Sequence, residues 1–149
     1  CGVEVDPVTA MVRIDRYVTM HDAGKLLNPL IAEGQVLGSF AQGIGTALHE
    51  EFLYDDDGNF LTGTFADYLI PTVAEVPRPE ILHMASPSPF TPLGAKGMAE
   101  GCCMSTPVCI ANAVSDALGV NVAQLPMSPK RLHALIDEDE PPRPSGAGQ

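Results

Sequence analysis

Apolar, β-favouring residues interspersed with polar ones make residues 3–5 and 12–20 strand-like. Between them, Asp6-Pro7-Val8-Thr9-Ala10 has turn chemistry, so the pattern predicts a β-hairpin. His21-Asp22-Ala23-Gly24 then reads as a loop. Asn28 suits a helix N-cap and Pro29 the first helical position. From there Leu30, Gly34, Leu37, Ala41, Ile44 and Leu48 recur at spacings of four and three, the signature of an amphipathic helix. Gly34, Gly38, Gly43 and Gly45 fall inside it, and each interior glycine costs about 1 kcal/mol relative to alanine. Close packing against another backbone or a bulky ligand is the usual compensation.

Further on, residues 52–54 and 60–64 flank Asp55-Asp56-Asp57-Gly58-Asn59, which predicts a second hairpin with Asp-Gly in its turn. Residues 65–70 continue the run towards Pro71, and residues 80–84 read as a short strand. Residues 85–104 have no clear period and carry Pro, Gly and Ser; loops of this length are commonly functional. Ser105-Thr106-Pro107 is expected to open a helix through Leu118, with Thr106 as its cap and Gly119 as its stop. Ser128-Pro129 repeats the device for a last helix to about Ile136. The expected architecture is α+β: two hairpins, a Gly-rich helix, a strand, a long loop and two C-terminal helices.

Composition narrows the function. At 149 residues the chain is long enough for one domain with a core, assigned to 1–136. Residues 137–149 open on Asp137-Glu138-Asp139-Glu140, are rich in Pro and Gly, and are expected to form a disordered, solvating tail. A net charge of −11 with only eight Lys and Arg leaves no basic face for nucleic acid. No apolar run approaches the roughly 20 residues of a membrane span. The start on Cys1-Gly2-Val3 has the look of mid-strand, so a fragment or a processed chain is expected. The four cysteines give no disulfide framework, which points to a reducing, cytoplasmic compartment.

Candidate chemistry is sparse. Glu100 lies in Gly97-Met98-Ala99-Glu100-Gly101. Small residues on both sides allow close backbone approach and leave the carboxylate projecting. In a dry pocket such a group is a general base; otherwise it is a surface glutamate. Gln42-Gly43-Ile44-Gly45 either sets an amide and bare backbone against a ligand or packs one helix on another. The four histidines share no metal-ligand spacing, and no metal ligands are expected. Cys102, Cys103 and Cys109 read as small buried hydrophobes. A thiol nucleophile beside Glu100 finds no nearby His in the sequence.

Taken in order, Glu33-Gly34-Gln35-Val36, Ala41-Gln42-Gly43-Ile44-Gly45 with Glu50-Glu51, Asp67-Tyr68-Leu69, the stretch from Ser86-Pro87-Ser88-Pro89 to Gly94-Ala95-Lys96-Gly97, and Ala111-Asn112-Ala113-Val114 form a specific series. It resembles the C-terminal part of the large subunit of the xanthine dehydrogenase and aldehyde oxidase family, in the branch of the carbon monoxide dehydrogenase large chains. The resemblance runs from about Val3 to Ile136.

The resemblance implies a molybdenum–pterin cofactor, in bacteria often molybdopterin cytosine dinucleotide, with 2Fe-2S and FAD on other domains or subunits. It implies a hydroxylase that oxidises a small aldehyde, N-heterocycle or CO-like substrate with water. The glutamate matching Glu100 takes the proton from the metal-bound hydroxide, and electrons leave through the iron–sulfur clusters to flavin. Gln42, Gly43, Lys96, Gly97, Met98 and Ala99 match positions beside the cofactor. The partners implied are the remainder of the large subunit, an iron–sulfur subunit and a flavin subunit. Two departures stand out: Ala99 replaces the family's usual glycine, and Cys102-Cys103 replace small residues. They support the alternative of a non-catalytic assembly module of the same fold.

Overall fold

A computed structural model describes residues 1–139. The expected first hairpin forms: β1 (Gly2–Val5) pairs antiparallel with β2 (Val12–Arg16). Its turn is closed by Asp6, whose Oδ1 accepts the Val8 and Thr9 N–H at 2.7 and 2.9 Å. The run expected as one strand to residue 20 breaks at Tyr17. That ring turns into the core, 4.5 Å from Phe40, and its hydroxyl shares a 3.1 Å hydrogen bond with Thr106. Beyond it the chain leaves the hairpin as β3 (Val18–Asp22) and pairs in parallel with β4 (Glu80–Met84). His21 and Asp22, expected in a loop, are therefore the last residues of a strand.

Helix α1 (Pro29–Leu48) starts as predicted, with Asn28 Oδ1 accepting the Ile31 N–H at 3.2 Å. Its buried face differs from the expected one. Ala32, Val36, Phe40, Ile44 and Ala47 form the core stripe, while Leu30 is 80% exposed and Gly34 is open. Both stripes have helical spacing; the winning one carries the larger side chains at its centre.

Helix α2 (Gly101–Leu118) begins four residues before the expected Ser105 and runs through Pro107, forgoing one backbone hydrogen bond there. Thr106 is accordingly a buried partner of Tyr17 and not a cap. Gly119 ends α2 as expected, at φ +71° with its N–H on Ser115 O. Helix α3 (Pro129–Asp139) extends three residues past the expected boundary at 136, so Asp137 and Asp139 belong to a helix. The rest of the expected disordered tail, 140–149, lies outside the described residues.

The second hairpin is reduced to its tip. Asp55 accepts the Asp57 and Asn59 N–H, and Tyr54 and Phe60 form one isolated bridge, but no strands flank them. A lone two-stranded hairpin has too little partner surface to persist as regular sheet. Helices α1 and α2 pack on each other, with Ile14 and Tyr17 below and Met127 and Leu132 closing one side. No helix among the described residues is long and apolar enough to cross a membrane.

Candidate functional site

The loop between β4 and α2 is built onto the end of β3. Gly24 and Ala95 form an antiparallel bridge, Lys96 N–H donates to Ala23 O at 2.8 Å, and Lys25 N–H donates to Gly94 O at 3.2 Å. Gly24, at φ +62°, must be glycine: a Cβ there would stand 2.1 Å from Gly94 O.

Side chains reinforce this seam. Asp22 Oδ1 accepts the Gly24 and Ser86 N–H at 2.9 and 3.0 Å. Its Oδ2 accepts the Ser86 hydroxyl and the Lys96 ammonium, the latter at 3.0 Å. Lys96 Nζ also donates to Ser86 Oγ at 2.6 Å. These donors, the Ser86 hydroxyl first, hold the Asp22 carboxyl well below the usual carboxylate range.

Lys96 thus sits at the start of the arc that carries Glu100, tied back to β3. Gly97 faces open space, Met98 packs against the core, and Ala99 follows. Among the described residues Ala10 is the one non-glycine with positive φ, so Ala99 keeps an ordinary backbone and its methyl introduces no strain. Glu100 takes the N-cap position of α2 but makes no side-chain cap bond. It is exposed, and the dry pocket expected around it is not built by the described residues. The uncapped first turn leaves backbone N–H groups facing outward, which favours negative charge nearby.

A pocket of about 230 Å³ opens between the start of α1 and this arc. Lys25, Asn28, Gln35, Lys96 and Met98 line it, with Leu27 and Ile31 supplying apolar surface. Lys96 and Met98 are thereby brought together with Gln35 of the Glu33-Gly34-Gln35-Val36 motif. Gln42 is exposed, seven residues further along α1, and does not line this pocket. Gly43 is buried and meets α2: a Cβ there would stand 2.6 Å from Thr106 Cβ. Helix packing accounts for that glycine. A larger cavity of about 830 Å³, between the first hairpin and residues 74–77, contains none of the expected site residues.

Along the sequence no histidine lies near Cys102 or Cys103. In the fold, His21 Nε2 lies 3.1 Å from Cys102 Sγ, and Thr19 Oγ1 lies 3.1 Å from the same nitrogen and 3.5 Å from the sulfur. Gly101 makes room for this ring, since a Cβ there would come within 2.7 Å of it. Cys102 is fully buried, Cys103 and Cys109 are half-buried, and all four cysteines are free. No local pattern links His21 with Cys102, which lie 81 residues apart and meet only where the first turn of α2 comes against the end of β3.

The molybdopterin cofactor-binding domain model matches residues 1–77 of the chain. The large subunit of nicotine 6-hydroxylase from Paenarthrobacter nicotinovorans is 42% identical over 133 residues, covering 87% of this chain and 16% of its own length. The carbon monoxide dehydrogenase large chain of Afipia carboxidovorans is 36% identical, over 89% of this chain and 17% of its own. The crystal structure of quinoline 2-oxidoreductase from Pseudomonas putida 86 superposes with a TM-score of 0.88 at 42% identity, covering 91% of this chain and 18% of that one. The chain therefore spans about a sixth of the relatives that it matches.

Proposed function

The chain belongs to the molybdopterin cofactor-binding domain family, and on that premise we propose that it supplies the base-bearing wall of a molybdenum hydroxylase active site. Its core, assigned to 1–136, is in this reading the C-terminal part of the cofactor-binding domain. The site is completed by the remainder of the large subunit. Iron–sulfur and flavin subunits carrying 2Fe-2S and FAD pass the electrons on.

The residues present fit such a group. An anionic pterin phosphate suits a pocket edged by Lys25 and Lys96 in a chain that otherwise carries net negative charge, and the amides of Gln35 and Asn28 offer hydrogen bonds to a pterin edge. Gly97, with no atom within 4 Å of where a Cβ would stand, leaves the backbone open to close approach. Gln42, on the same face of α1 as Gln35, extends this edge. Gly43 contributes by letting α1 and α2 close up behind it. When bound, the group supplies two-electron redox chemistry; molybdopterin cytosine dinucleotide is the form proposed.

The protein's own chemistry centres on Glu100. Its carboxylate projects from the N-cap of α2 without an intrachain hydrogen bond, two residues beyond Met98 in the pocket wall. That placement carries the proposal. A carboxylate oxygen free of partners is available to take a proton from water-derived oxygen as it attacks an electrophilic carbon. Ala99 and Gly101 keep bulk away from both sides. The substrate class proposed is a small aldehyde, N-heterocycle or CO-like molecule.

The test is Glu100→Gln in the assembled enzyme. We expect turnover to fall by about 10²- to 10⁴-fold, the range for loss of a general base, with molybdenum content near wild type. Wild-type turnover by that variant would remove Glu100 from the role.

A further inference from the structure

Resting on the reading of Glu100 as base, we propose that His21 and Asp22 are its positioning residues, fixing the two ends of the arc that carries it. The two are consecutive at the end of β3, so in an extended strand their side chains point to opposite faces. Asp22 reaches towards the entry of the arc and His21 towards its exit.

At the entry, Asp22 gathers Ser86 and Lys96 into one network, and the Lys96 N–H is bound to Ala23 O immediately beyond. At the exit, His21 Nε2 meets Cys102 Sγ at 3.1 Å, inside the first turn of α2, with Thr19 Oγ1 bridging both. Residues 97–100 lie between these two anchors. Gly97 has open space around it and the Glu100 side chain has no hydrogen bond of its own, so within the arc Met98 alone packs on the core. The position of the carboxylate is therefore inherited from the anchors.

The glycines agree with this. Gly24 and Gly94 both have positive φ and lie against each other at the entry, and Gly101 at the exit has no room for a Cβ beside the His21 ring. Each lets an anchor close to hydrogen-bonding distance. Cys102, a departure from the family's usual small residue, becomes the exit anchor's acceptor or donor, so the cysteine has a structural partner in the fold. Parallel pairing of His21 with His83 and of Asp22 with Met84 braces the strand end that holds both anchors.

The experiment uses the assembled enzyme with Asp22→Asn, His21→Ala and His21→Gln, and Glu100→Gln as reference. A misplacement of about 1 Å can cost on the order of 10²-fold in rate. We expect Asp22→Asn and His21→Ala to lower kcat about 10- to 100-fold with little change in KM, and molybdenum content to stay near wild type. Independently of turnover, amide hydrogen exchange across residues 94–104 should quicken in both variants. His21→Gln, whose amide can reach the same sulfur, should restore most of the rate and the protection. If both variants exchange and turn over like wild type while Glu100→Gln is inactive, the positioning role is overturned and the base stands. If Glu100→Gln itself turns over normally, the base reading fails first. Loss of molybdenum in both variants, with His21→Gln no better than His21→Ala, would make these residues merely structural and would also overturn the proposal.

Discussion

Gly43 of α1 lies so close to Thr106 of α2 that a Cβ on the glycine would stand 2.6 Å from the threonine Cβ. The same threonine bonds the Tyr17 hydroxyl at 3.1 Å, and Tyr17 stacks near Phe40. One missing methyl thus lets two helices and the Tyr17 ring between β2 and β3 meet in the core. Overpacking a well-filled site costs typically about 1–3 kcal/mol. Gly43→Ala should lower the melting temperature of the chain accordingly. Gly34, in the same helix but with no atom within 4 Å of where a Cβ would stand, should behave oppositely: Gly34→Ala should stabilise by about 0.5–1 kcal/mol through helix propensity. Equal effects at the two positions would contradict the assignment of the packed face.

Asp22 predicts an acid-dependent seam. Its folded pKa is depressed below the unfolded value of about 3.9, first by the Ser86 hydroxyl, then by backbone N–H groups and Lys96. The charged form therefore stabilises the fold at every pH above the unfolded value. That contribution is lost as pH falls through the folded value. Asp22→Asn should melt below wild type at neutral pH, and the gap should close on acidification below about pH 4. Thermal melts of the two proteins across that range decide it.

Two histidines add a milder dependence at higher pH. Burial pushes His21 down, helped by the charge of His83, and burial does the same at His49 against the opposing pull of Glu75 and Glu50. Neutral imidazole is therefore favoured in the fold. The stabilisation is complete above the unfolded value of about 6.5 and is lost as pH falls through the lower folded values. His49→Gln should flatten the rise in melting temperature between about pH 5 and 7. An unchanged slope would contradict the burial of that ring.

Local chemistry explains which elements were legible in the sequence. Asn28-Pro29 starts α1, Gly119 ends α2, and residues 80–84 form β4, because caps, stops and short apolar runs act within a few residues of themselves. The buried face of α1 is not legible in the sequence because Leu30, Gly34 and Leu37 have the same period as Val36, Phe40 and Ala47, and only tertiary packing chooses between them. Pro107 hid the true start of α2, since proline is more common at a helix's first turn than inside it. Glu100 stood out through its small-residue loop and the ordered motifs around it. The His21–Cys102 contact had no such signal, because 81 residues separate the partners and neither belongs to a recognisable spacing.

The most direct measurement is the single-turnover rate of enzyme reduction by substrate in the assembled protein, wild type against Glu100→Gln, across about pH 5 to 9 at matched molybdenum content. A proton-accepting Glu100 predicts a rate in the variant lower than wild type by about 10²-fold or more throughout that range. A variant that keeps the wild-type rate would contradict the account.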